Sequence, residues 1–188
     1  MKAPYKGTAF AVCVLLTLLN SRPDEKFEYN FYEYGNRYSF HGRFAVPADY
    51  ECLINVIYDF EHISQYASDA KSVELIRQGE NWYEVVYIYR KLLIFENQST
   101  WRRTRKRDEG RVVFEMISSK NNLGVIPDVT YSTGYYQIGR GKEGYSVEYY
   151  QECELKSGVL RSRYINEAKK GAIKFLREFR EYILETCN

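Results

Sequence analysis

The sequence has few of the side chains that bind metals or titrate near neutral pH. It contains two histidines, His41 and His62, and four cysteines, with neither a CxxC motif nor histidine-rich spacing. Zinc sites need several such ligands close together, and histidine is the side chain that changes charge near pH 7. The sequence therefore predicts no metal site, no cofactor and no recognisable catalytic group. A Cys-His nucleophile is disfavoured, and His41 is expected to be a solvated strand residue.

An excess of charge of one sign is also missing. The chain has 27 basic and 25 acidic residues, a net charge of +2. The small basic surplus lies within residues 1–26, and the remainder is neutral overall. Because nucleic-acid-binding domains usually carry a basic face, we expect no nucleic-acid partner.

Proline is scarce, with four residues, whereas apolar residues make up 45% of the 188 positions. This composition is typical of a globular protein, and the length suits one domain with a sizeable core. Tyrosine is abundant, with 19 copies. It buries a ring and keeps a hydroxyl that needs a partner, so it suits strands with one wet face and cavities with a mixed lining. We interpret most of these tyrosines as solvent-facing strand residues.

Residues 1–26 have the pattern of an export signal. Two lysines precede an apolar run at residues 8–19, and a polar segment follows this run. Secretory signals share this order, and the run is too short for a comfortable membrane span. We therefore expect an exported protein, periplasmic or secreted, whose domain comprises residues 27–188. Because Leu19-Asn20-Ser21 lacks the small residue that cleavage favours, retention by an uncleaved N-terminal anchor stays an alternative.

Hydrophobic periodicity divides the domain into strands and helices. Residues 27–37 predict a short edge strand or an ordered tail, and residues 38–46 predict a strand with aromatic residues on one face. After Pro47, helical spacing over residues 50–58 and 59–66 predicts two short helices. Six period-two runs follow, with hairpin-sized connections that predict antiparallel neighbours. These runs comprise residues 72–77, 82–94, 95–106, 111–119, 129–138 and 145–155.

The last segment, residues 162–186, predicts one long amphipathic helix. Such a helix, with a single apolar face and a large sheet to cover, is expected to lie across that sheet. Its apolar stripe consists of Ile165, Ala168, Ala172, Phe175, Leu176, Phe179, Tyr182 and Ile183.

The order of these elements resembles the START-like superfamily, which includes polyketide cyclase/dehydrase-like proteins. The supporting motifs are Phe44-Ala45-Val46-Pro47-Ala48, Tyr58-Asp59-Phe60-Glu61-His62 with Val73-Glu74-Leu75-Ile76, and Gly134-Tyr135-Tyr136-Gln137-Ile138 with Gly144-Tyr145-Ser146-Val147-Glu148-Tyr149. The resemblance spans residues 38–186. It implies an α+β helix-grip fold, in which a curved antiparallel sheet of six to seven strands surrounds the C-terminal helix and two short helices follow the first strand. It implies no catalytic residue, because this fold hosts carriers, receptors and enzymes.

A curved sheet that grips one helix leaves room for an apolar ligand cavity. The same side chains would otherwise pack a solid core. Tyr136 and Tyr149 are the candidates for a hydrogen bond to a ligand head group, whereas Gln151 is either satisfied by the backbone or held for a ligand. The predicted lining residues are Val86, Ile88, Phe114, Met116, Tyr136, Ile138, Tyr149, Gln151, Ala172, Phe175 and Phe179.

These observations favour a monomeric binding or carrier protein for a lipid-like or polycyclic molecule. Two alternatives stay open. One is a cyclase or dehydratase-type enzyme that uses the same cavity. The other is a module with a filled core whose outer sheet or 120s loop binds a protein partner.

One strongly basic run stands out at residues 101–107. In a strand, Trp101, Arg103, Arg105 and Arg107 share one face, so this hairpin tip could contact anionic lipid head groups at a membrane surface. A solvated hairpin end is the alternative, because nearby carboxylates can offset the charge.

Three cysteines lie beyond the N-terminal segment. In folds of the START-like type the two short helices prop the far end of the long helix, so the resemblance implies a disulfide between Cys52 and Cys187. Cys153 is expected to be a small core residue. The odd number leaves one free thiol or one that pairs with another chain.

Overall fold

A computed structural model describes residues 27–89, 97–121, 127–141, 144–156 and 160–187 of the chain. The predicted export signal or anchor at residues 1–26 lies outside the described residues. The strand boundary expected near Leu93 and most of the 120s loop lie outside them as well.

Within the described residues, eight strands form one antiparallel sheet in the order β1-β2-β8-β7-β6-β5-β4-β3. The strands are β1 (Phe27–Tyr34), β2 (Arg37–Val46), β3 (Ala70–Gln78), β4 (Trp82–Tyr89), β5 (Asn97–Lys106), β6 (Arg111–Asn121), β7 (Val129–Arg140) and β8 (Tyr145–Leu155). Three helices accompany them: α1 (Tyr50–Tyr58), α2 (Ile63–Tyr66) and α3 (Arg161–Thr186). The predicted α+β helix-grip architecture is confirmed.

The sheet is larger than the sequence predicts. The six to seven expected strands become eight because residues Phe27–Tyr34 form an edge strand, with Phe31 opposite Phe40 of β2. The two short helices therefore follow the second strand and not the first. The loose alternation of this segment predicts either an edge strand or an ordered tail. Its pairing with β2 shows that it is an edge strand.

Strands that follow one another along the chain pair antiparallel, except β2 and β3. The long connection through α1 and α2 leads from β2 to β3 at the far edge of the sheet, and β2 pairs instead with β8. In this pairing Phe44 lies opposite Val147, and Gly42 lies opposite Tyr149. Because side chains alternate across a strand, Phe40, Gly42 and Phe44 all face inward. All three are buried. The core therefore lies between this face of the sheet and the helices.

The helices begin and pack as their sequences dictate. The Asp49 side chain caps α1 by accepting a hydrogen bond from the Cys52 amide at 2.9 Å, which satisfies one of the free N–H groups of the first turn. α3 is 26 residues long and buries Ile165, Leu176, Phe179 and Ile183. No helix of the described residues combines the length and the apolar character needed to cross a bilayer.

A disulfide joins Cys52 in α1 to Cys187, which directly follows α3, with the two α-carbons 5.8 Å apart. It fixes the C-terminal end of the long helix to the short helix beside it, and this is the pairing that the START-like resemblance implies. Cys153 is a free, buried thiol in a small cluster with Tyr38, Leu155 and Ile165.

Gly134 lies in the middle of the sheet, where β7 has no room for a side chain. A Cβ atom there would lie 2.1 Å from the Tyr150 carbonyl oxygen and 2.4 Å from the ring of Phe114. The backbone oxygen cannot move without distorting the strand pairing. We therefore expect Gly134→Ala to lower the free energy of unfolding by about 1–3 kcal/mol or more in urea denaturation.

Gly139 provides the matched control on the same strand. A Cβ at Gly139 meets only the Ser146 hydroxyl at 3.4 Å, so Gly139→Ala should change stability by less than about 1 kcal/mol. Equal stabilities for the two alanine variants would contradict the strand geometry described here.

Candidate ligand cavity

A cavity of about 320 Å³ lies between the inner face of the sheet and α3. The side formed by the strands is mainly aromatic, and the charged residues of the lining are exposed or half-buried ones on the helix side and one buried arginine. The strands contribute Tyr38, Phe40, Tyr87, Tyr89, Trp101, Arg103, Phe114, Tyr136, Tyr149 and Gln151. The helices and the segment after α2 contribute Ile63, Ala67, Ser68, Asp69, Ala70, Glu167, Ala168, Gly171, Ala172, Lys174, Phe175 and Glu178.

Small residues of α3 keep this space open. Ala168, Gly171 and Ala172 line the cavity where larger side chains of the same helix would fill it. A Cβ atom at Gly171 would meet only a carboxylate oxygen of Asp69, at 3.9 Å. Glycine inside a helix is unfavourable by roughly 1 kcal/mol relative to alanine, so its presence here lowers helix stability without any packing gain.

Stacked and tilted rings from the sheet and from α3 pack against one another along the cavity. The ring centroid of Tyr149 lies 5.0 Å from that of Tyr136, 5.6 Å from that of Phe114 and 5.7 Å from that of Phe175. Such contacts hold aromatic side chains in place beyond their burial alone. The wall is therefore a rigid, apolar surface.

A chain of side-chain hydrogen bonds runs along β8 and β7. The Tyr149 hydroxyl donates to the Gln151 amide oxygen at 2.7 Å, and the Gln151 amide nitrogen donates to the Ser132 hydroxyl at 3.1 Å. Ser132 in turn lies 3.1 Å from the Cys153 sulfur. Gln151 is thus satisfied by side chains, whereas the sequence offered the backbone or a ligand as its partner.

Trp101 is fixed in the cavity wall by a second network. Its indole N–H donates to the Ser99 hydroxyl at 2.6 Å, and the Tyr89 hydroxyl lies 2.9 Å from the same oxygen. Burial, as the largest cause, raises the pKa of Tyr89 to about 12. Both side chains therefore keep defined orientations towards the cavity.

Arg103 reaches the cavity from β5 and is only 6% exposed. Its guanidinium donates to the Ile57 carbonyl at 3.2 Å and to the Tyr87 hydroxyl at 2.8 Å. It also lies over the ring of Tyr136, 5.7 Å from the centroid. Among the described residues, no carboxylate forms an ion pair with it.

Buried phenols surround Arg103. The buried hydroxyls of Tyr66 and Tyr83 face its guanidinium, which favours their ionised form, and they donate to no group in the described part of the chain. Burial raises the pKa of Tyr66, Tyr87 and Tyr136, although the positive charge of Arg103 acts in the opposite direction. These phenols therefore stay protonated at neutral pH and can donate hydrogen bonds.

The charged residues at the mouth are already paired in part. Lys174 lies 3.7 Å from Glu178, and Lys170 lies 2.9 Å from Glu167, all on α3. These are exposed pairs, which solvent screens. The described residues contain no group of His, Cys, Asp and Glu side chains able to hold a metal ion.

The structure brings together some of the predicted lining residues and separates others. Phe114, Tyr136, Tyr149, Gln151, Ala172 and Phe175 line the cavity, and their contact with a ligand stays a prediction. Ile138 and Phe179 are buried in the adjoining core without reaching the space. Met116 lies opposite Trp101 in the sheet and is half-buried outside the lining.

The placement of Val86 and Ile88 in the lining is wrong. They alternate with Tyr87 and Tyr89, which do line the cavity, so they lie on the other face of β4. Both faces of this strand are largely apolar, with Glu84 as the one charged residue on the face of Val86 and Ile88, so the alternation of apolar residues did not distinguish the inner face. The three tyrosines of this strand, Tyr83, Tyr87 and Tyr89, all stand at odd-numbered positions. This shared position was the signal that could have identified the inner face.

Trp101 and Arg103 do not lie on the solvated hairpin face on which the predicted membrane contact depends. Both residues line the cavity, because the odd-numbered face of β5 is the inner face. Further along the strand, Arg105 lies over the Tyr58 ring, 4.4 Å from its centroid, and Arg107 pairs with Glu51. A membrane contact of Arg105 and Arg107 stays a prediction.

Comparison with known proteins gives similar structures without similar sequences. No protein-family model matches the chain, and a search of curated proteins finds no match. The STAR-related lipid transfer protein from Xanthomonas axonopodis superimposes with a TM-score of 0.66 at 12% identity, over 85% of this chain and 94% of that chain. Zhui aromatase/cyclase from Streptomyces sp. R1128 gives 0.61 at 11% identity, over 84% and 93%. Major latex-like protein 151 from Panax ginseng gives 0.59 at 9% identity, over 80% and 99%.

Identities this low show a shared fold and leave the activity open. The arrangement of an antiparallel sheet around a long C-terminal helix is common to these proteins and to the chain described here. At the level of the fold, the START-like resemblance is therefore confirmed, and the protein has the helix-grip fold.

Proposed function

We propose that this protein binds a compact hydrophobic ligand, lipid-like or polycyclic, in the cavity between its sheet and α3, and that it does so outside the cytoplasm. The observation that carries the proposal is an aromatic-walled space of about 320 Å³ beside small residues of α3. Ligand pockets typically measure about 300–1,000 Å³ and are lined mainly by apolar and aromatic side chains. The alternative of a filled core does not account for this space.

The disulfide between Cys52 and Cys187 supports the extracytoplasmic part of the proposal. Disulfides form and persist in oxidising compartments and are rare in the cytosol. The signal-like pattern of residues 1–26 points in the same direction.

Binding is better supported than catalysis in this cavity. A general base works best when its pKa lies near the operating pH, but burial raises the pKa of the lining residues Tyr87, Tyr136 and Tyr149 above the ordinary value. At neutral pH they are therefore hydrogen-bond donors and not bases. A cyclase-type reaction would need a base that these phenols do not supply.

Filling the cavity should weaken dye binding while leaving the protein folded. Ala172→Phe places a phenyl ring in the space beside Phe175, so a ring of the ligand can no longer be buried there. In a fluorescence titration, the affinity for the neutral dye N-phenyl-1-naphthylamine should therefore fall by about tenfold or more. Far-UV circular dichroism and thermal unfolding would verify the fold of the variant.

Asn166→Phe is the matched control, because Asn166 is exposed on the same helix and does not line the cavity. It should leave dye affinity unchanged. If both variants bind the dye as the wild type does, the cavity is not the binding site and the proposal fails.

A further inference from the structure

Arg103 carries a buried charge that nothing in the described part of the chain neutralises. A guanidinium stays protonated in proteins, yet the groups around it are neutral: the Ile57 carbonyl, the hydroxyls of Tyr66, Tyr83 and Tyr87, and the face of Tyr136. Burying an ion without a counter-ion is strongly unfavourable. A ligand that brings a negative charge would remove this penalty.

The other charged side chains that face the cavity do not provide that counter-ion. Asp69, Glu167 and Glu178 lie at the mouth, and none of them is within ion-pair distance of Arg103. Glu167 and Glu178 each pair with a lysine of α3. Solvent screens charges at such exposed positions, so the acidic mouth opposes an entering anion only weakly.

The surroundings of Arg103 also contain unused hydrogen-bonding groups. Its hydrogen bonds to the Ile57 carbonyl and the Tyr87 hydroxyl use two of the five N–H donors of a guanidinium, and the Tyr66 and Tyr83 oxygens face the same group. The Tyr66 and Tyr83 hydroxyls donate to no group among the described residues, so their protons are available to an anion beside Arg103. A planar oxyanion matches the guanidinium fork with two parallel hydrogen bonds.

We infer that Arg103 binds the anionic head group, a carboxylate or comparable oxyanion, of the hydrophobic ligand inside the cavity. This inference rests on the proposed function and names the class of its ligand. Phe114, Tyr149 and Phe175 would contact the apolar part of the molecule. The volume is at the lower end of the range for ligand pockets, which suits a compact acid with one anionic group.

Two dyes that share one ring system test the inference. 8-Anilinonaphthalene-1-sulfonate carries a sulfonate, and N-phenyl-1-naphthylamine is the same molecule without it. Arg103→Met should weaken sulfonate binding by about tenfold or more, as expected for one lost charge-assisted contact, and should change the affinity for the neutral dye by less than about threefold. If Arg103→Met leaves both affinities unchanged, the inference is overturned while the proposed function stands. If the wild type binds neither dye, the proposed function itself fails.

Two further variants control for charge and folding. Lys106→Met removes an exposed positive charge from the same strand and should leave both affinities unchanged. Arg103→Lys keeps the charge but loses the planar fork, so it should retain only part of the preference for the sulfonate and bind it more tightly than Arg103→Met does. Equal losses in Lys106→Met and Arg103→Met would assign the preference to overall charge and overturn the role of Arg103.

Competition with the wild-type protein needs no variant and separates the head groups. Decanoate, decyl phosphate and decanol each carry a ten-carbon chain and differ in their head groups. The concentration at which each displaces N-phenyl-1-naphthylamine therefore reports which head group the site prefers. A carboxylate site predicts displacement by decanoate at about tenfold or more lower concentration than by decanol, whereas decyl phosphate would lead if a phosphate is preferred. Displacement by decanol at the lowest concentration would contradict an anion site at Arg103.

Discussion

Removal of the disulfide by Cys52→Ser and Cys187→Ser together should lower the free energy of unfolding by about 2–5 kcal/mol. The two cysteines are 135 residues apart in the sequence, so the bond closes nearly the whole domain into one loop. A link of this length restricts the unfolded chain more than a short one does. It also holds the end of α3 against α1.

Urea denaturation with and without reductant would measure this effect. Reductant should lower the midpoint of the wild type to that of the double serine variant and should leave the variant unchanged. The thiols of the treated wild type would be assayed to verify that the disulfide is reduced. If the urea midpoint then stays unchanged, the bond does not stabilise the protein.

Phe179→Ala should lower the free energy of unfolding by about 3–5 kcal/mol. The Phe179 ring is fully buried, and its centroid lies 4.6 Å from that of Tyr66, 5.6 Å from that of Tyr136 and 6.2 Å from that of Phe44. It therefore joins α3 to α2 and to the sheet at one point. Alanine there leaves a void that these rigid neighbours can only partly fill.

An exposed aromatic residue supplies the comparison. Tyr32 on the edge strand is 60% exposed, and Tyr32→Ala should change stability by less than about 1 kcal/mol. Urea denaturation of both variants measures the difference. A loss for Phe179→Ala as small as that for Tyr32→Ala would mean that α3 is not packed on the sheet.

The sequence predicts most of the architecture because the pattern of apolar residues follows the period of each element. Alternation locates β5 to β8 to within a few residues, and the stripe from Ile165 to Ile183 locates α3. The pairing of β1 is less evident, because an edge strand with three exposed tyrosines has a weak hydrophobic face. Its conformation as a strand therefore depends on the contact with β2.

The cavity is harder to predict for two physical reasons. Whether the space under a helix is filled depends on the separation of helix and sheet, which small residues such as Gly171 and Ala172 influence but do not determine. Charge is also a poor guide to exposure in this hairpin. The pattern at residues 101–107 is typical of a solvated or membrane-facing hairpin, yet the structure turns Trp101 and Arg103 inward.

Nuclear magnetic resonance of the labelled protein with bound N-phenyl-1-naphthylamine tests the central claim most directly. Intermolecular nuclear Overhauser effects report protons that lie close together. The ligand protons should show them to the Trp101 indole and to the rings of Tyr149 and Phe175, which line the cavity. Effects confined to side chains outside the lining, such as Trp82 and Tyr32, would contradict a ligand site between the sheet and α3.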